Sequence, residues 1–454
     1  MTPLDAPRRP GIDLAAPSDE PAGRTRFGVV GGRGTRLLAG PPRSQGREAL
    51  ADHDRRLPPL DLGWWSPTEL RDEIRASGLL GRGGGQFPAA TKLDVAAAAA
   101  GTPIVVVNAT EGEPASRKDK TLLELRPHLV LDGADVVAAA VGAHEVVVYL
   151  HRSRGRSTAA VEEAIQQRRL GRPPGVRMRV VDAPGGYVTG ETSAVVSFLD
   201  GAGALPRRTA VPAAVTGVGH RPTVVNNVET VAHLALVARY GARWFRESGS
   251  PQSPGSTLVT LAGAVGVPGA VAETLGPVTI GEILATVGGL DTPPRAVLLG
   301  GYAGTWIDGE VAWRTPLERH ALRAAGASLG CGLIAVLGHD ACGLAETARL
   351  LRWLAGQSAG QCGPCFLGLP ALSAILDEVV AGTAGRRDLR RICDMAMSVR
   401  GRGACGHPTG SVGLLDSAIE TFDPELRRHL RRQSCEAAPG KGYFPLPADY
   451  RVRA

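Results

Sequence analysis

Ile104-Val105-Val106-Val107-Asn108-Ala109-Thr110-Glu111-Gly112-Glu113-Pro114 decides how this chain folds. Four successive β-branched residues cannot present one apolar and one polar face, so the run reads as a strand buried on both sides. The neighbouring segments keep the same rhythm. Leu129 to Val141 has helical spacing, Glu145 to Leu150 is a strand, Ala159 to Arg168 a helix and Arg177 to Val181 a further strand. Upstream, Ser66-Pro67-Thr68-Glu69 opens a helix with a Ser cap, Pro at the first helical position and Glu three residues after the cap. Leu70, Ile74 and Gly78 continue that helix into the glycine loop Gly81-Arg82-Gly83-Gly84-Gly85-Gln86-Phe87-Pro88. Strands alternating with helices of this size predict an α/β layer with a mostly parallel sheet.

The texture changes after about residue 250. Ser256 to Val271 and Ala296 to Ile307 are rich in Val, Leu and Gly, with one helical stretch, Ile280 to Val287, between them. This predicts a small sheet wrapped on one helix. From Ala341 onward the pattern is helical. Leu344, Ala348, Leu351 and Ala355 mark a first stripe; Leu372, Ile375, Leu376 and Val379 a second. Leu389, Ile392, Ala396 and Val399 mark a third, and Leu415, Ala418, Ile419 and Phe422 a fourth. Four such stripes are buried by packing as a bundle. The domain expectation is a flexible Pro/Gly/Arg-rich extension over residues 1–60, an α/β domain over 61–250, the small sheet over 251–340, the bundle over 341–425 and a basic tail over 426–454.

Composition excludes several classes. Apolar residues make up 43% of the 454, before 60 glycines are counted, so the chain as a whole is not disordered. The net charge of +7 comes from Arg spread along the chain and densest in the first 60 residues and near Arg427 to Arg432, which does not point to nucleic acid. Arg8-Arg9 has no apolar run behind it and opens no secretion signal. The least charged stretch, Pro251 to Ala272, is broken by Gly263, Gly266, Pro268 and Gly269, so no membrane span is expected. A cytoplasmic chain is expected, at most peripheral to a membrane through partners. Seven cysteines are too sparse and too odd in number for a disulfide framework.

Five segments carry the chemistry. The glycine loop lets backbone amides approach a phosphate, with Lys92 downstream as a charge, or it is only a turn. Asn108 to Glu113 follows a buried strand, where open α/β sheets bind ligands; a solvated turn is the alternative. Gly185-Gly186-Tyr187-Val188-Thr189-Gly190-Glu191-Thr192-Ser193 again follows a strand. Asn226-Asn227 within Val224 to Thr230 suits either an amide hydrogen-bond set or a cap. Cys362-Gly363-Pro364-Cys365, with Cys405 forty residues on before Gly406-His407-Pro408, suggests a metal, an iron–sulfur cluster or a redox pair at a helix start.

SGLLGRGGGQFPAATK, NATEGEPASRKDK, RPHLVLDGA, GGYVTGETSA, PTVVNNVET and GQCGPCFLG, closing with CGHP, run in register from about residue 66 to 422. Together they resemble the flavin-bearing, NADH-oxidising F subunit of bacterial complex I and its hydrogenase and formate dehydrogenase relatives. The resemblance implies a Rossmann-like FMN domain, a ubiquitin-like (β-grasp, SLBB) module and a C-terminal four-helix bundle with a 4Fe–4S cluster. It implies that Gly81, Gly83, Lys92, Asn108, Gly190, Asn226 and Thr230 contact FMN, with Arg82, Gly84 and Asn227 beside them. Phe87, Glu111, Tyr187 and Glu191 would border the NADH, Phe87 stacking on adenine and the two Glu orienting the nucleotide. Cys362, Cys365 and Cys405 would hold the cluster. The implied chemistry is hydride transfer from nicotinamide to a stacked flavin, then release of single electrons; the protein supplies orientation more than acid–base groups. The implied partner is an iron–sulfur electron-transfer subunit or ferredoxin, and beyond it a membrane-bound reductase.

The chain departs from the family pattern at informative places. Thr110 stands for an Asp, and Gly190-Glu191-Thr192-Ser193 has one carboxylate fewer. A family Lys falls near Arg207 or Arg208, and a Phe becomes Val211. Ala359 stands where the family has a cluster cysteine. A fourth ligand from His407, Cys393, an outside thiol or solvent, a three-iron cluster, or no cluster at all are the open outcomes. A docking scaffold that has lost the electron path is the alternative function, and a Cys-x-x-Cys disulfide oxidoreductase a third. Cys331 and Cys393 read as small core residues, Cys342 as structural, and His128 and His220 as packing residues.

Overall fold

The computed structural model describes residues 27–32, 35–41, 46–151, 155–172, 175–431 and 442–447. The chain enters through β1 (Phe27–Val30), then α1 (Leu50–Arg56), α2 (Pro67–Ser77) and α3 (Ala89–Ala98). The Ser66/Glu69 capping box forms as the sequence predicts, and Gly78 ends α2 in the left-handed region. The first sheet follows: β2 (Ile104–Ala109), α4 (Lys118–Leu125), α5 (Pro127–Val141), β3 (Glu145–Leu150), α6 (Gly155–Gly171), β4 (Arg177–Asp182), α7 (Thr192–Leu199), β5 (Thr223–Asn227) and α8 (Val228–Arg246).

This sheet has the order β4-β3-β2-β5 and is parallel throughout. Val105, Val106 and Val107 are fully buried at its centre. Helices α5 and α8 lie against each other so closely that a Cβ on Gly133 would sit 1.8 Å from the Val231 carbonyl oxygen. Strands β3 and β4 lie on one side of β2 and β5 on the other, so the chain reverses direction of winding at β2. Ligands of open α/β sheets bind at such a switch point, beyond the carboxyl ends of the strands. Asn108 and Asn227, partners in the β2–β5 register, mark that place.

A short hairpin, β6 (Gly249–Ser250) and β7 (Ser253–Pro254), leads to a second, mixed sheet. Its elements are β8 (Thr257–Gly263), β9 (Val271–Thr274), α9 (Ile280–Thr286), β10 (Ala296–Leu299), β11 (Thr305–Asp308), α10 (Gly309–Arg314), α11 (Arg319–Ala324) and β12 (Leu333–Leu337). The order is β1-β9-β8-β12-β10-β11, so its edge strand β1 comes from the N-terminal segment.

That pairing corrects the reading of residues 1–60 as a flexible extension. Residues 1–26 lie outside the described set, but much of 27–57 is built into the fold. The buried Glu273 carboxylate accepts from the amides of Leu37 at 2.8 Å and Arg36 at 3.1 Å. Arg126 donates to the carbonyls of Ala39 and Pro41, both at 2.7 Å. His53 reaches Asp132 at 2.6 Å, both fully buried. These links join irregular backbone to buried charges, and such bonds leave no hydrophobic period for a sequence reading to find.

The C-terminal part contains α12 (Gly343–Gly356), a π-helical turn (Pro364–Gly368), α13 (Leu369–Val380), α14 (Arg386–Val399), α15 (His407–Thr421) and α16 (Asp423–Leu430). Among the described residues there are thus five helices here, not four, because Asp423-Pro424 starts a further helix that runs on to Leu430, into the segment expected to be a tail. Nor is the rest simply a tail: Phe444 is 2% exposed and lies against Tyr302 and Trp306. Arg432, Cys435 and most of the basic segment lie outside the described residues. Among the described residues no helix is long and apolar enough to cross a membrane.

Candidate functional site

At the switch point the side chain of Asn108 is held on both atoms. Its amide donates to the Gly190 carbonyl at 2.7 Å and its oxygen accepts from the Thr110 hydroxyl at 2.9 Å. Above it opens a cavity of about 540 Å³, within the usual range for ligand sites. The first sheet lines it with Arg82, Gly83, Gly84, Asn108, Glu111, Tyr187, Gly190, Glu191 and Asn227. The second sheet adds Gly300, Ala303, Gly330 and Cys331, and the helical part adds Cys405, Gly406 and His407. All three parts of the molecule therefore meet at one cavity.

Two glycines shape its wall. A Cβ on Gly83 would come to 3.1 Å from Cβ of Asn227, and one on Gly190 to 2.4 Å from the Thr110 hydroxyl. The two carboxylates expected to orient a nucleotide also start helices. Glu111, in the left-handed region at φ 42°, accepts from the amides of Asp119 and Lys120, both at 3.1 Å, and from the Ser116 hydroxyl at 2.6 Å. Glu191 caps α7 through the amides of Ser193 at 2.8 Å and Ala194 at 3.2 Å. Negative charge at a helix start is stabilised by the aligned backbone dipoles.

Beneath the glycine loop lies a buried ionic cluster that the sequence reading did not single out. Lys118 contacts Glu229 at 2.8 Å and Asp119 at 2.9 Å. Burial opposes its charge, but those two carboxylates together hold its pKa above the ordinary value. Asp119 is pushed up to about 6 by burial, with Lys118 pulling the other way. Glu113 is buried without such a cation; desolvation pushes it up to about 8, against the pull of the Tyr302 amide at 2.9 Å and the nearby Tyr187 hydroxyl. A residue with so shifted a pKa beside a cavity is a candidate for functional work. The only sequence signal for these groups was their presence inside the stretches that carry the family resemblance.

Five of the residues predicted to contact flavin or nucleotide are not on this wall. Gly81 closes the loop through its amide to the Phe87 carbonyl at 2.9 Å. Thr230 is buried and accepts from the Arg82 amide at 2.8 Å, so it supports the loop from behind. Asn226 lies below, where its oxygen accepts from Lys92 at 3.3 Å. Phe87 and Lys92 instead line a neighbouring cavity of about 550 Å³ with Arg207, Arg208 and Val211. Glu191 borders both cavities. A larger groove of about 720 Å³, lined by Leu60, Ile165 and Met178, contains none of the predicted site residues.

The residues present suit a flavin. Asn226 has a buried side-chain amide nitrogen without a hydrogen-bond partner among the described residues. Lys92 is held by the Val225 carbonyl at 2.7 Å and by Asn226, and burial lowers its pKa. A donor without an acceptor, a cation that among the described residues meets only neutral oxygens, and a glycine-walled cavity together fit an anionic, acceptor-rich ring system.

The cysteines divide sharply. The thiols of Cys362 and Cys365 hydrogen-bond each other, and Cys405 lies near enough to Cys365 to help raise its pKa. Burial is the main cause of that rise, to about 12. Backbone amides are directed at each sulfur: Ala404 and Cys365 at Cys362, Ala359 at Cys365, His407 at Cys405. Among the described residues no three His, Cys, Asp or Glu side chains close round a single metal ion. Three thiols with backbone donors are a ligand chemistry that would suit an iron–sulfur cluster, while Ala359 offers only a methyl group.

The other cysteines and histidines depart in part from expectation. Cys393 is exposed on α14 near Asp394 and Asp416, not a core residue, since it falls off the Ile392/Ala396/Val399 stripe. Cys331 is on the cavity wall near Glu113, because the turn before β12 faces inward. Cys342 caps α12 and touches Glu425 at 3.1 Å, a structural place. His128 is buried with Gln167 at 3.1 Å, a packing place, whereas His220 is exposed in a left-handed turn at φ 60°.

Comparison with known proteins places these features. Residues 74–236 match the family described as the Nuo51 FMN-binding domain, and residues 345–429 the NADH-ubiquinone oxidoreductase-F iron-sulfur binding region. In Rhizobium meliloti (strain 1021), the NADH-quinone oxidoreductase F subunit numbered 2 is 31% identical over 388 residues, 82% of this chain and 91% of that protein. The corresponding F subunit of Streptomyces coelicolor is 31% identical over 390 residues, 83% of this chain and 86% of that one. That of Mycobacterium tuberculosis (strain ATCC 25618 / H37Rv) is 32% identical over 391 residues, 82% of this chain and 87% of that one. Among solved structures, a chain of an NAD+-reducing NiFe-hydrogenase in the H2-reduced state superposes with a TM-score of 0.74 at 27% identity. That match covers 87% of this chain and 68% of the hydrogenase chain.

Proposed function

Because this chain belongs to the family of NADH-quinone oxidoreductase F subunits, we propose that it oxidises NADH through FMN and delivers electrons to an iron–sulfur cluster. The observation that carries this is the single cavity on which the glycine loop, Asn108, Gly190 and Asn227 face Cys405. FMN, when bound, accepts two electrons from NADH and releases them one at a time.

The chain's own residues supply place and environment. Gly83 and Gly190 keep the wall clear, Asn108 fixes the Gly190 carbonyl, and Asn226 with Lys92 offers donors from below. Ala303 and Gly330 of the second sheet add to the wall that Tyr187 and the first sheet form. The adjoining cavity, with Phe87 half exposed and Arg207 and Arg208 at its rim, suits the remainder of the dinucleotide. Cys362, Cys365 and Cys405 would hold the cluster, which passes single electrons onward.

In this reading the second sheet is the SLBB β-grasp module and the first is the Rossmann-like flavin layer. The partner is an iron–sulfur electron-transfer subunit, with a membrane-bound reductase beyond it, and the chain works in the cytoplasm. The test is an anaerobic visible spectrum of the purified chain supplied with FMN. Flavin absorbance that NADH bleaches supports the proposal. A folded chain that takes up no flavin refutes it and leaves a docking scaffold.

A further inference from the structure

His407 opens α15 two residues after Cys405 and is 7% exposed. Its Nε2 lies 2.9 Å from the Leu354 carbonyl oxygen. A carbonyl only accepts, so Nε2 carries the ring proton and Nδ1 presents a bare lone pair. That Nδ1 is buried and has no hydrogen-bond partner among the described residues. A ring nitrogen left without a partner in a buried place calls for one. Metal-binding histidines have this form: one nitrogen donates to a backbone carbonyl, which fixes the ring and turns the other nitrogen toward the metal.

The cysteine side has the complementary deficit. Three thiols converge, and the backbone amide of Ala359 meets the Cys365 sulfur, so position 359 is beside the group yet supplies no ligand atom. Cys393 cannot fill the place, being exposed on α14. Glu191 lies near Cys405 but is committed to capping α7. His407 is better placed, because its backbone amide already reaches the Cys405 sulfur and its ring lines the flavin cavity with Cys405.

We propose that Nδ1 of His407 is the fourth ligand of the iron–sulfur cluster, completing a three-cysteine, one-histidine site. This rests on the cluster reading above and goes beyond it. A neutral imidazole in place of a thiolate leaves the site one negative charge poorer, and replacing thiolate by imidazole favours the reduced cluster. The ring also packs against Tyr187, with centroids 5.5 Å apart, and both residues line the cavity that Cys405 lines.

The test uses the full chain grown on 15N-histidine, reconstituted anaerobically with ferrous iron and sulfide, then reduced and examined by pulsed EPR. The expected result is a 15N coupling of the size of a directly bound nitrogen, absent in His407→Ala. On mild oxidation His407→Ala should shed about one iron in four and show a three-iron signal, whereas the unmodified chain keeps all of its iron. Adding Ala359→Cys to His407→Ala should restore iron retention without the nitrogen coupling. A reduced cluster in the unmodified chain lacking that coupling overturns the proposal, even if His407→Ala does not fold; so does a coupling that survives His407→Ala. No iron in any preparation overturns the cluster and this ligand with it, while flavin bleaching by NADH would still stand as a separate result.

Discussion

Replacing Glu113 by Gln should remove a large part of the pH dependence of this chain's stability. The side chain is 6% exposed, and burial moves its pKa from the ordinary 4.5 to about 8. Below the lower value the carboxyl is protonated whether the chain is folded or not, and the group costs nothing. As pH rises the unfolded chain gives up its proton while the folded chain keeps it, so stability falls. Above the upper value both forms are ionised and the loss stops growing. Each pH unit inside the window corresponds to about 1.4 kcal/mol, which amounts to about 3 kcal/mol by neutral pH and about 5 kcal/mol over the whole window. Gln has no proton to lose, matches the shape and still accepts from the Tyr302 amide, which lies at 2.9 Å in the parent chain. Urea unfolding midpoints of the parent and Glu113→Gln, taken at steps across the window without flavin, measure the effect. Asp119 and Asp135, also raised by burial, are common to both chains and cancel in the difference. The advantage of the variant should widen as pH rises and then level off. Two curves that run parallel would refute the assignment of a buried, neutral Glu113.

Gly190→Ala places a Cβ 2.4 Å from the Thr110 hydroxyl, so FMN affinity should fall at least about tenfold, or about 1.4 kcal/mol. Adding Thr110→Ala should restore much of it in a fluorescence titration. Lys118→Met removes the cation that Asp119 and Glu229 share, leaving Glu229 only Arg82 at 3.9 Å, and should cost about 3–5 kcal/mol in denaturant unfolding, with partial recovery on adding Glu229→Gln. Phe444→Ala should cost about 3–5 kcal/mol in thermal or urea melts, because the ring is packed beside Tyr302 and Trp306; an unchanged melt would show that the C-terminal segment does not secure the fold.

Several elements were legible because their cause is local. The run Ile104 to Val107 needs burial on both faces, and it forms the centre of a parallel sheet. Ser66 and Glu69 cap one helix whatever surrounds them. Leu372, Ile375, Leu376 and Val379 share one buried face of α13. By contrast, β1 was hidden because a four-residue strand acquires meaning only from its partner β9. Helix α16 was hidden because its stripe is short and carries many charges. Cys393 was misplaced because an apolar neighbourhood in sequence says nothing about which side of a helix a residue occupies.

By itself the amino-acid order determined which chemical groups are available: glycines that let a cofactor approach, amides at strand ends, three cysteines and the lack of a fourth at Ala359. It also determined the helix–strand alternation, since period and capping act over a few residues. Only the tertiary structure decided that Glu113 is desolvated and that Cys331 and His407 face the same cavity as Asn108. Those properties depend on which distant segments exclude water from a side chain and which donors they bring to it, and neither is encoded in the neighbours along the chain.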